Sequence, residues 1–216
     1  VGPVDQKKII SALRGTEVLA DATNVIALHI CDLKQRKVWS PQTPTDKIRF
    51  GAIQRHVRTQ QIAGKGFTPH FKIGCLVTAG YDAGSFAFEK ESLFEHIAAM
   101  KALYLGYYKV EDLRFRFLCR PGFYPDAPDL AREIKGYVSH QDPEVRIDII
   151  DAPPTENSYY KGIQYKVDIR INGQTYEIGD GGFVDWTQQL LQNKKERMLS
   201  TGIGFDFMYR ILNGLL

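Results

Sequence analysis

The sequence predicts an α+β fold in which a mostly antiparallel sheet is flanked by helices. Segments that alternate apolar and polar residues, as half-buried strands do, outnumber the segments with helical periodicity. They do not follow the strand–helix–strand alternation that is typical of a parallel sheet. The clearest pair surrounds Asn172-Gly173, the preferred dipeptide of a two-residue type I′ hairpin turn.

The first part of the chain is predicted to contain one helix and two pairs of strands. Ile9, Ile10 and Leu13 recur at helical spacing, whereas the prolines within residues 40–44 remove ladder donors and predict a loop. In order, we expect a helix at 6–19, a hairpin formed by 24–31 and 37–39, and strands at 47–60 and 71–78 around a glycine-containing loop at 63–69.

The rest of the chain is predicted to mix helices with strands. Leu93, Ile97 and Met100 predict a helix at 90–105 with Gly106 at its C-cap, and Asp126 is expected to cap a helix at 128–138. The other expected elements are strands at 113–119 and 145–150, a hairpin of 164–171 and 174–178, a glycine loop at 179–182, a helix at 184–197, a strand at 200–205 and a closing helix to Asn213.

Composition places the chain among globular proteins, with 216 residues of which 44% are hydrophobic and 25% charged. We expect one domain over residues 1–216 and no membrane span, because no apolar run approaches the roughly 20 residues that a bilayer requires. The three cysteines lack the spacing of a structural zinc site and predict a reducing, cytoplasmic setting. The net charge of +3 permits contact with phosphates but does not mark a nucleic-acid-binding surface.

Two stretches carry the motifs of the chain. The first runs from Gln-Arg-His-Val-Arg-Thr-Gln at 54–60, through the loop at 63–69, to His-Phe-Lys-Ile-Gly at 70–74. The second joins Tyr-Tyr-Lys-Gly at 159–162, Gly-Asp-Gly-Gly-Phe-Val-Asp at 179–185 and Thr-Gly-Ile-Gly-Phe-Asp at 201–206. Together they resemble the catalytic core of class II aminoacyl-tRNA synthetases. The first is closest to motif 2 of alanyl-type enzymes, and the second to the end of histidyl-type cores.

The resemblance implies an ATP site and a small amino-acid site. Arginine suits the first because its planar fork holds phosphate oxygens in pairs. By resemblance, Arg58 is the catalytic arginine on the α-phosphate, Phe71 stacks on adenine, and Glu177 helps to hold Mg²⁺ and ATP. The remaining implied site residues are Lys65, His70 and Arg210 at the outer phosphates, Gly202 and Gly204 beside the nucleotide, and Tyr159, Tyr160, Gly181 and Gly182 around the amino acid.

Two departures from the family pattern bear on activity. Phe207 stands where motif 3 has an arginine, with Arg210 one helical turn later, and Gln60 stands where motif 2 has a glutamate. The favoured function is formation of an aminoacyl adenylate from ATP and a small amino acid, for transfer to tRNA or a carrier protein. The resemblance also implies a homodimer. The alternative is a non-catalytic paralogue used as a binding or regulatory subunit, like that of ATP phosphoribosyltransferase. An unrelated α+β domain is a third reading.

The same residues have ordinary structural interpretations. Arg58 is also explained as a solvated charge on a strand, and Phe71 as a core residue. Tyr159 and Tyr160 are also explained as two aromatic residues of a strand that face opposite sides. The glycines of 179–182 also fit a tight exit from the hairpin.

Overall fold

The described strands form one seven-stranded sheet in the order β1-β2-β7-β6-β5-β3-β4. The structure is a computed structural model and describes residues 10–11, 13–57, 68–123, 126–150 and 160–216. Neighbouring strands are antiparallel except for β3 and β4, which are parallel. The strands are β1 (Ile48–Val57), β2 (His70–Tyr81), β3 (Asp112–Arg120), β4 (Arg146–Ile150), β5 (Tyr160–Ile171), β6 (Gln174–Val184) and β7 (Glu196–Gly204).

Helices cover the two faces of the sheet unequally. They are α1 (Ala22–Gln35), α2 (Ala87–Lys101), α3 (Ala127–Gln141), α4 (Trp186–Leu191) and α5 (Phe205–Leu212). On one face, here called the core face, α2, α3 and α5 bury the larger apolar cluster, which includes Leu93, Ile134, Phe117 and Met208. On the other face, α1 and α4 bury a smaller cluster that includes Ile30, Trp186 and Met198. The rest of this second face is here called the open face.

The predicted α+β class with a mostly antiparallel sheet is confirmed, and so are its best-signalled elements. Asn172 and Gly173 join β5 to β6 with φ angles of 51° and 73°, as a type I′ turn requires. Asp126 caps α3, because its Oδ1 accepts the amide of Asp129 at 2.9 Å. Among the described residues, no helix is both long and apolar enough to cross a membrane.

The hairpin predicted at 24–31 and 37–39 is wrong, because these residues belong to α1 and the turn after it. Val25 and Ile26 are β-branched, which favours a strand locally. The segment is nevertheless helical, because Asp21 Oδ1 accepts a hydrogen bond from the Thr23 amide at 2.8 Å as an N-cap. The helix also places Ala27 and Ile30 on one buried face. Tertiary packing therefore overrides local propensity here.

Other boundaries were also predicted wrongly. In the part of residues 6–19 that the structure describes, a 3₁₀ turn at Leu13–Gly15 stands in place of the expected helix. Gly106 does not cap α2, which continues as a π-helix over Ala102–Tyr107. The glycines of 179–182 form part of β6 and not a loop, and the helix expected at 184–197 ends at Leu191. Arg197 is consequently a buried residue of β7, where it pairs with Glu89 and Asp82.

Candidate functional site

The open face carries one continuous row of residues that crosses the whole sheet. Strand pairing aligns these residues side by side, and the row contains, from β4 to β1, Asp148, Arg116, Lys166, Asp180, Gly202, Cys75 and Ala52. Since side chains alternate between faces along a strand, residues that pair directly point to the same face. The row is charged over β4, β3, β5 and β6 and bears only small side chains over β7, β2 and β1.

Arg116, Lys166 and Asp180 belong to a network of ion pairs and hydrogen bonds that also includes Asp168 and Glu177. Arg116 Nη2 lies 2.9 Å from Glu177 Oε2 and 2.9 Å from Asp168 Oδ1. Lys166 Nζ lies 2.8 Å from Glu177 Oε1 and 3.6 Å from Asp180 Oδ2. The contacts thus form a chain from Asp168 through Arg116, Glu177 and Lys166 to Asp180, in which each cation lies between two carboxylates.

Asp180 is the least saturated carboxylate of this network. Gln164 Nε2 donates to its Oδ2 across 3.4 Å, and the Lys166 contact is long. Gln164 is itself held by the buried Arg120, whose Nε and Nη2 donate to Gln164 Oε1 at 3.0 and 2.6 Å. The Asp180 side chain retains 35% of its accessible surface, so its carboxylate can receive another donor.

Burial and neighbouring charges shift the pKa values of the acids and the lysine. Burial, assisted by the negative charge of Glu177, raises the pKa of Asp180 against the opposing effect of Lys166. Burial works against the charged form of Lys166, but Asp180 and Glu177 raise its pKa overall, which keeps it cationic. Burial likewise opposes ionisation of Glu177, yet Lys166 and Arg116 lower its pKa overall.

The glycines of the motifs differ in how close a Cβ atom would come to neighbouring atoms. A Cβ at Gly181 would lie 2.5 Å from Ser200 O, and one at Gly182 would lie 2.6 Å from both Ile163 O and the Tyr160 ring. A Cβ at Gly204 would lie 3.1 Å from Ile178 O. A Cβ at Gly202 would come no closer than 3.7 Å to another atom and would point beside Asp180 Oδ1. Packing therefore requires glycine at 181 and 182, whereas at 202 a Cβ would make only ordinary van der Waals contacts with its neighbours.

The structure brings some of the predicted site residues together on the open face. Phe71 lies there on β2, with its ring 5.9 Å from that of His56. Glu177 lies there in the charged network, and Tyr160 packs in the smaller apolar cluster against Gly182. Gly202 lies between Asp180 and Cys75. Arg58, Lys65 and Tyr159 lie outside the described residues, and so does Gln60.

Other predicted site residues lie away from that face. His70 is on the core side of the sheet, where its Nδ1 is 3.1 Å from Arg55 Nη1. Gly181 also faces that side, against Tyr165. Arg210 belongs to α5, which packs on the core face through Met208 and Ile211. Phe207, at the position of the motif 3 arginine, packs against the same cluster and against the Tyr176 ring at 6.3 Å.

The role of Glu177 as a magnesium ligand does not fit its surroundings. Each of its carboxylate oxygens already accepts from a cation, Oε1 from Lys166 and Oε2 from Arg116. Over the described parts of the chain, no group of three histidine, cysteine, aspartate or glutamate side chains could hold a metal ion. Glu177 therefore acts as a bridge between two strands, and a magnesium ion is not assigned to it.

Sequence reasoning missed four residues that shape this site: Arg120, Gln164, Lys166 and Asp180. For Gln164 and Lys166 the signal was present in the strict alternation of 164–170, because residues on the polar phase of a strand line one face. The sequence does not show the register of the strands, and only strand pairing shows that Lys166 and Asp180 are neighbours.

Comparison with known structures identifies the architecture, although the sequence matches no protein-family profile and no curated protein. The chain superposes on an apo histidyl-tRNA synthetase of S. aureus with a TM-score of 0.63 and 12% identity, covering 96% of this chain and 54% of that one. A putative threonyl-tRNA synthetase of Aeropyrum pernix gives a TM-score of 0.64 and 10% identity, over 96% of this chain and 50% of that one.

The chain has the fold of a class II aminoacyl-tRNA synthetase core. A third similar structure is an ATP phosphoribosyltransferase regulatory subunit/histidyl-tRNA synthetase from Bacillus halodurans C, with a TM-score of 0.61 and 13% identity over 94% of this chain and 68% of that one. The resemblance seen in the motifs is thus confirmed as a resemblance of fold. This synthetase fold spans about half the length of the first two structures.

Proposed function

We propose that this protein binds a small amino acid on the open face of its sheet, as a synthetase-like binding module. The observation that carries the proposal is Asp180, a partly exposed carboxylate whose contacts among the described residues, to Gln164 and Lys166, are both long. An ammonium group is its natural ligand, because hydrogen bonds between opposite charges are the strong ones.

Space for the ligand is supplied by Gly202. Its Cα lies directly across from Asp180, and a Cβ there would touch Asp180 O, Asp180 Oδ1 and Ile73 Cγ2 only at ordinary van der Waals distances of 3.7 to 3.9 Å. Glycine weakens a strand and needs a reason when neither packing nor a positive φ demands it. Close approach of a ligand provides that reason.

Lys166 can bind the carboxylate of a zwitterionic amino acid. Its ammonium lies 3.6 Å from Asp180, and its pKa remains raised by Asp180 and Glu177, so it can contact the carboxylate of the bound amino acid. Tyr160 and Gly182 border this space on the side of the smaller apolar cluster. Phe207, which packs against the apolar core, and the doubly paired Glu177 favour a binding module over a ligase.

Replacement of Asp180 by asparagine tests the proposal. Asparagine keeps the shape and removes the charge, so the affinity for the best amino acid of a panel should fall about tenfold or more, corresponding to a charge-assisted hydrogen bond of about 1.5–3 kcal/mol. In the unchanged protein, affinity should also fall as the pH is lowered through the raised pKa of Asp180, because its protonated form cannot pair with an ammonium group. Calorimetric titration at several pH values measures both effects.

Asp148→Asn is the matched control. It removes the same charge from the same row, three strands away from Asp180, or about 14 Å at the spacing of neighbouring strands. Its affinity and pH dependence should equal those of the unchanged protein. If no amino acid binds, or if both variants weaken binding equally, Asp180 is not the ammonium site.

Formation of an aminoacyl adenylate is the second candidate function. It is favoured by the placement of Phe71, which lies on the face of Gly202 and Asp180 in a strand next to β7. In this candidate Phe71 stacks on adenine, the preceding Arg58 binds the α-phosphate, and the ionised carboxylate of the amino acid attacks that phosphorus and releases pyrophosphate. The acceptor, tRNA or a carrier protein, and a homodimeric assembly belong to this candidate.

Amino-acid-dependent ATP–pyrophosphate exchange distinguishes the two candidates. A ligase should catalyse the exchange. In a ligase, Arg58→Ala should weaken ATP binding at least tenfold, because one charge-assisted contact is worth about 1.5–3 kcal/mol. Arg210→Ala should lower the exchange rate if Arg210 replaces the motif 3 arginine. A binding module should bind amino acids but exchange nothing, even when Phe207→Arg restores the family residue. Exchange in the unchanged protein would overturn the assignment as a non-catalytic module.

A further inference from the structure

A groove between α2 and α3 lies on the opposite side of the sheet from Asp180 and has no part in the proposed amino-acid site. Its volume is about 310 Å³, and its lining residues are Lys90, Arg132, Glu133, Gly136, Tyr137 and His140. This volume is at the lower end of the range of small-molecule sites, about 300–1,000 Å³.

The α3 side of the groove has a notch between two nitrogen donors. Arg132, Gly136 and His140 follow one another at intervals of four residues, so they lie in line on one face of the helix with the glycine in the middle. A Cβ at Gly136 would meet nothing within 4 Å, and its φ is not positive. Neither packing nor backbone conformation therefore requires glycine here, although glycine costs a helix about 1 kcal/mol relative to alanine.

The opposite wall adds a third nitrogen donor. Lys90 of α2 faces Glu133 at 3.8 Å, which is a loose ion pair, and Arg132 makes one contact of 3.3 Å to Asp129. Tyr137 is fixed beside them by edge-to-face packing on Phe94, with ring centroids 6.1 Å apart. The groove thus combines Lys90, Arg132 and His140 around an empty notch, and Glu133 is the one carboxylate among the described residues of its lining.

We propose that this groove binds a small phosphate ester, with the phosphate over Gly136. Arg132 and His140 would donate to its oxygens from the two sides of the notch, and Lys90 would donate from across the groove. An arginine fork and a lysine are the donors that phosphate prefers. Tyr137 would contact the organic part of the ester.

Titration of the isotope-labelled protein with ribose 5-phosphate, followed by NMR, tests the site. We expect saturable shifts of the Gly136 and His140 signals, weaker binding of inorganic phosphate, and no shifts with ribose. Arg132→Gln should weaken binding about tenfold, and Glu133→Gln should strengthen it. Lys135→Gln removes a charge from the same helix outside the groove and should change nothing.

Gly136→Ala separates a binding role from a structural one. Alanine should raise the melting temperature by about 2–4 °C through its helix propensity, yet weaken binding by filling the notch. Asp180→Asn should leave ribose 5-phosphate binding unchanged, so this site can fail or hold independently of the amino-acid site. Absence of saturable binding, or equal weakening by Arg132→Gln and Lys135→Gln, would overturn the proposal.

Discussion

Replacing Lys34 by methionine should lower the free energy of unfolding by about 3–5 kcal/mol, the cost of leaving a buried charge without its partner. Lys34 Nζ pairs with a carboxylate oxygen of Glu196, and the two side chains are only 6% and 1% exposed. The ammonium also lies 4.4 Å from the centre of the Tyr81 ring and 5.2 Å from that of Trp39. Methionine can occupy the space of the lysine stem but cannot compensate Glu196.

Denaturant unfolding measures this effect, and Arg36→Met is its control. Arg36 is two residues away and pairs with Asp32, but its side chain is 72% exposed, so its loss should cost about 0–1 kcal/mol. Adding Glu196→Gln to Lys34→Met should recover part of the stability, because the uncompensated charge is removed. A cost below about 1 kcal/mol for Lys34→Met would mean that this pair does not hold α1 against β7.

Gly181→Ala should be the other severe substitution. We expect it to lower the free energy of unfolding by about 3 kcal/mol or more, at the upper end of the cost of overpacking. The added methyl would lie 2.5 Å from Ser200 O, a backbone atom of the adjacent strand, and 2.6 Å from Tyr165 Oη. Tyr165 cannot move freely, because its hydroxyl is bonded to Thr201, whose Oγ1 lies 2.6 Å from Nδ1 of the buried His96. Displacing it would disturb contacts among β5, β7 and α2.

Gly202→Ala provides the comparison within the same motif region. Its methyl would meet atoms only at 3.7 Å or more, so we expect stability within about 0.5 kcal/mol of the unchanged protein, as for substitutions away from packed features. Amino-acid binding should nevertheless be lost, since the methyl enters the proposed site. Similar unfolding free energies for Gly181→Ala and Gly202→Ala would contradict the distinction between a packing glycine and a site glycine.

Local signals explain which elements the sequence predicted well. The β5–β6 hairpin depends on Asn172 and Gly173, both of which adopt positive φ, and α3 depends on the cap at Asp126. These interactions join residues close in sequence, so the pattern alone reveals them. The error at α1 has the opposite cause, because its buried face is defined by packing on the distant strands β1 and β2.

The candidate site was only partly predictable for the same reason. The motifs indicated the synthetase fold and pointed to the region of Phe71, Glu177 and Gly202, because their order along the chain is visible in the sequence. Only the tertiary structure decided that Glu177 is neutralised by Arg116 and Lys166, and that His70 and Gly181 face the core side.

By itself, the sequence determined the alternation of polar and apolar residues and the turns that make an antiparallel sheet. The tertiary structure decided which of those polar residues meet. Asp180, Lys166 and Gly202 lie on three different strands, and their contact depends on a register that shifts by one residue at the bulge between Val167 and Asp168. A slip of one residue would move every side chain of a strand to the other face, so the site exists only where long-range strand pairing holds that register.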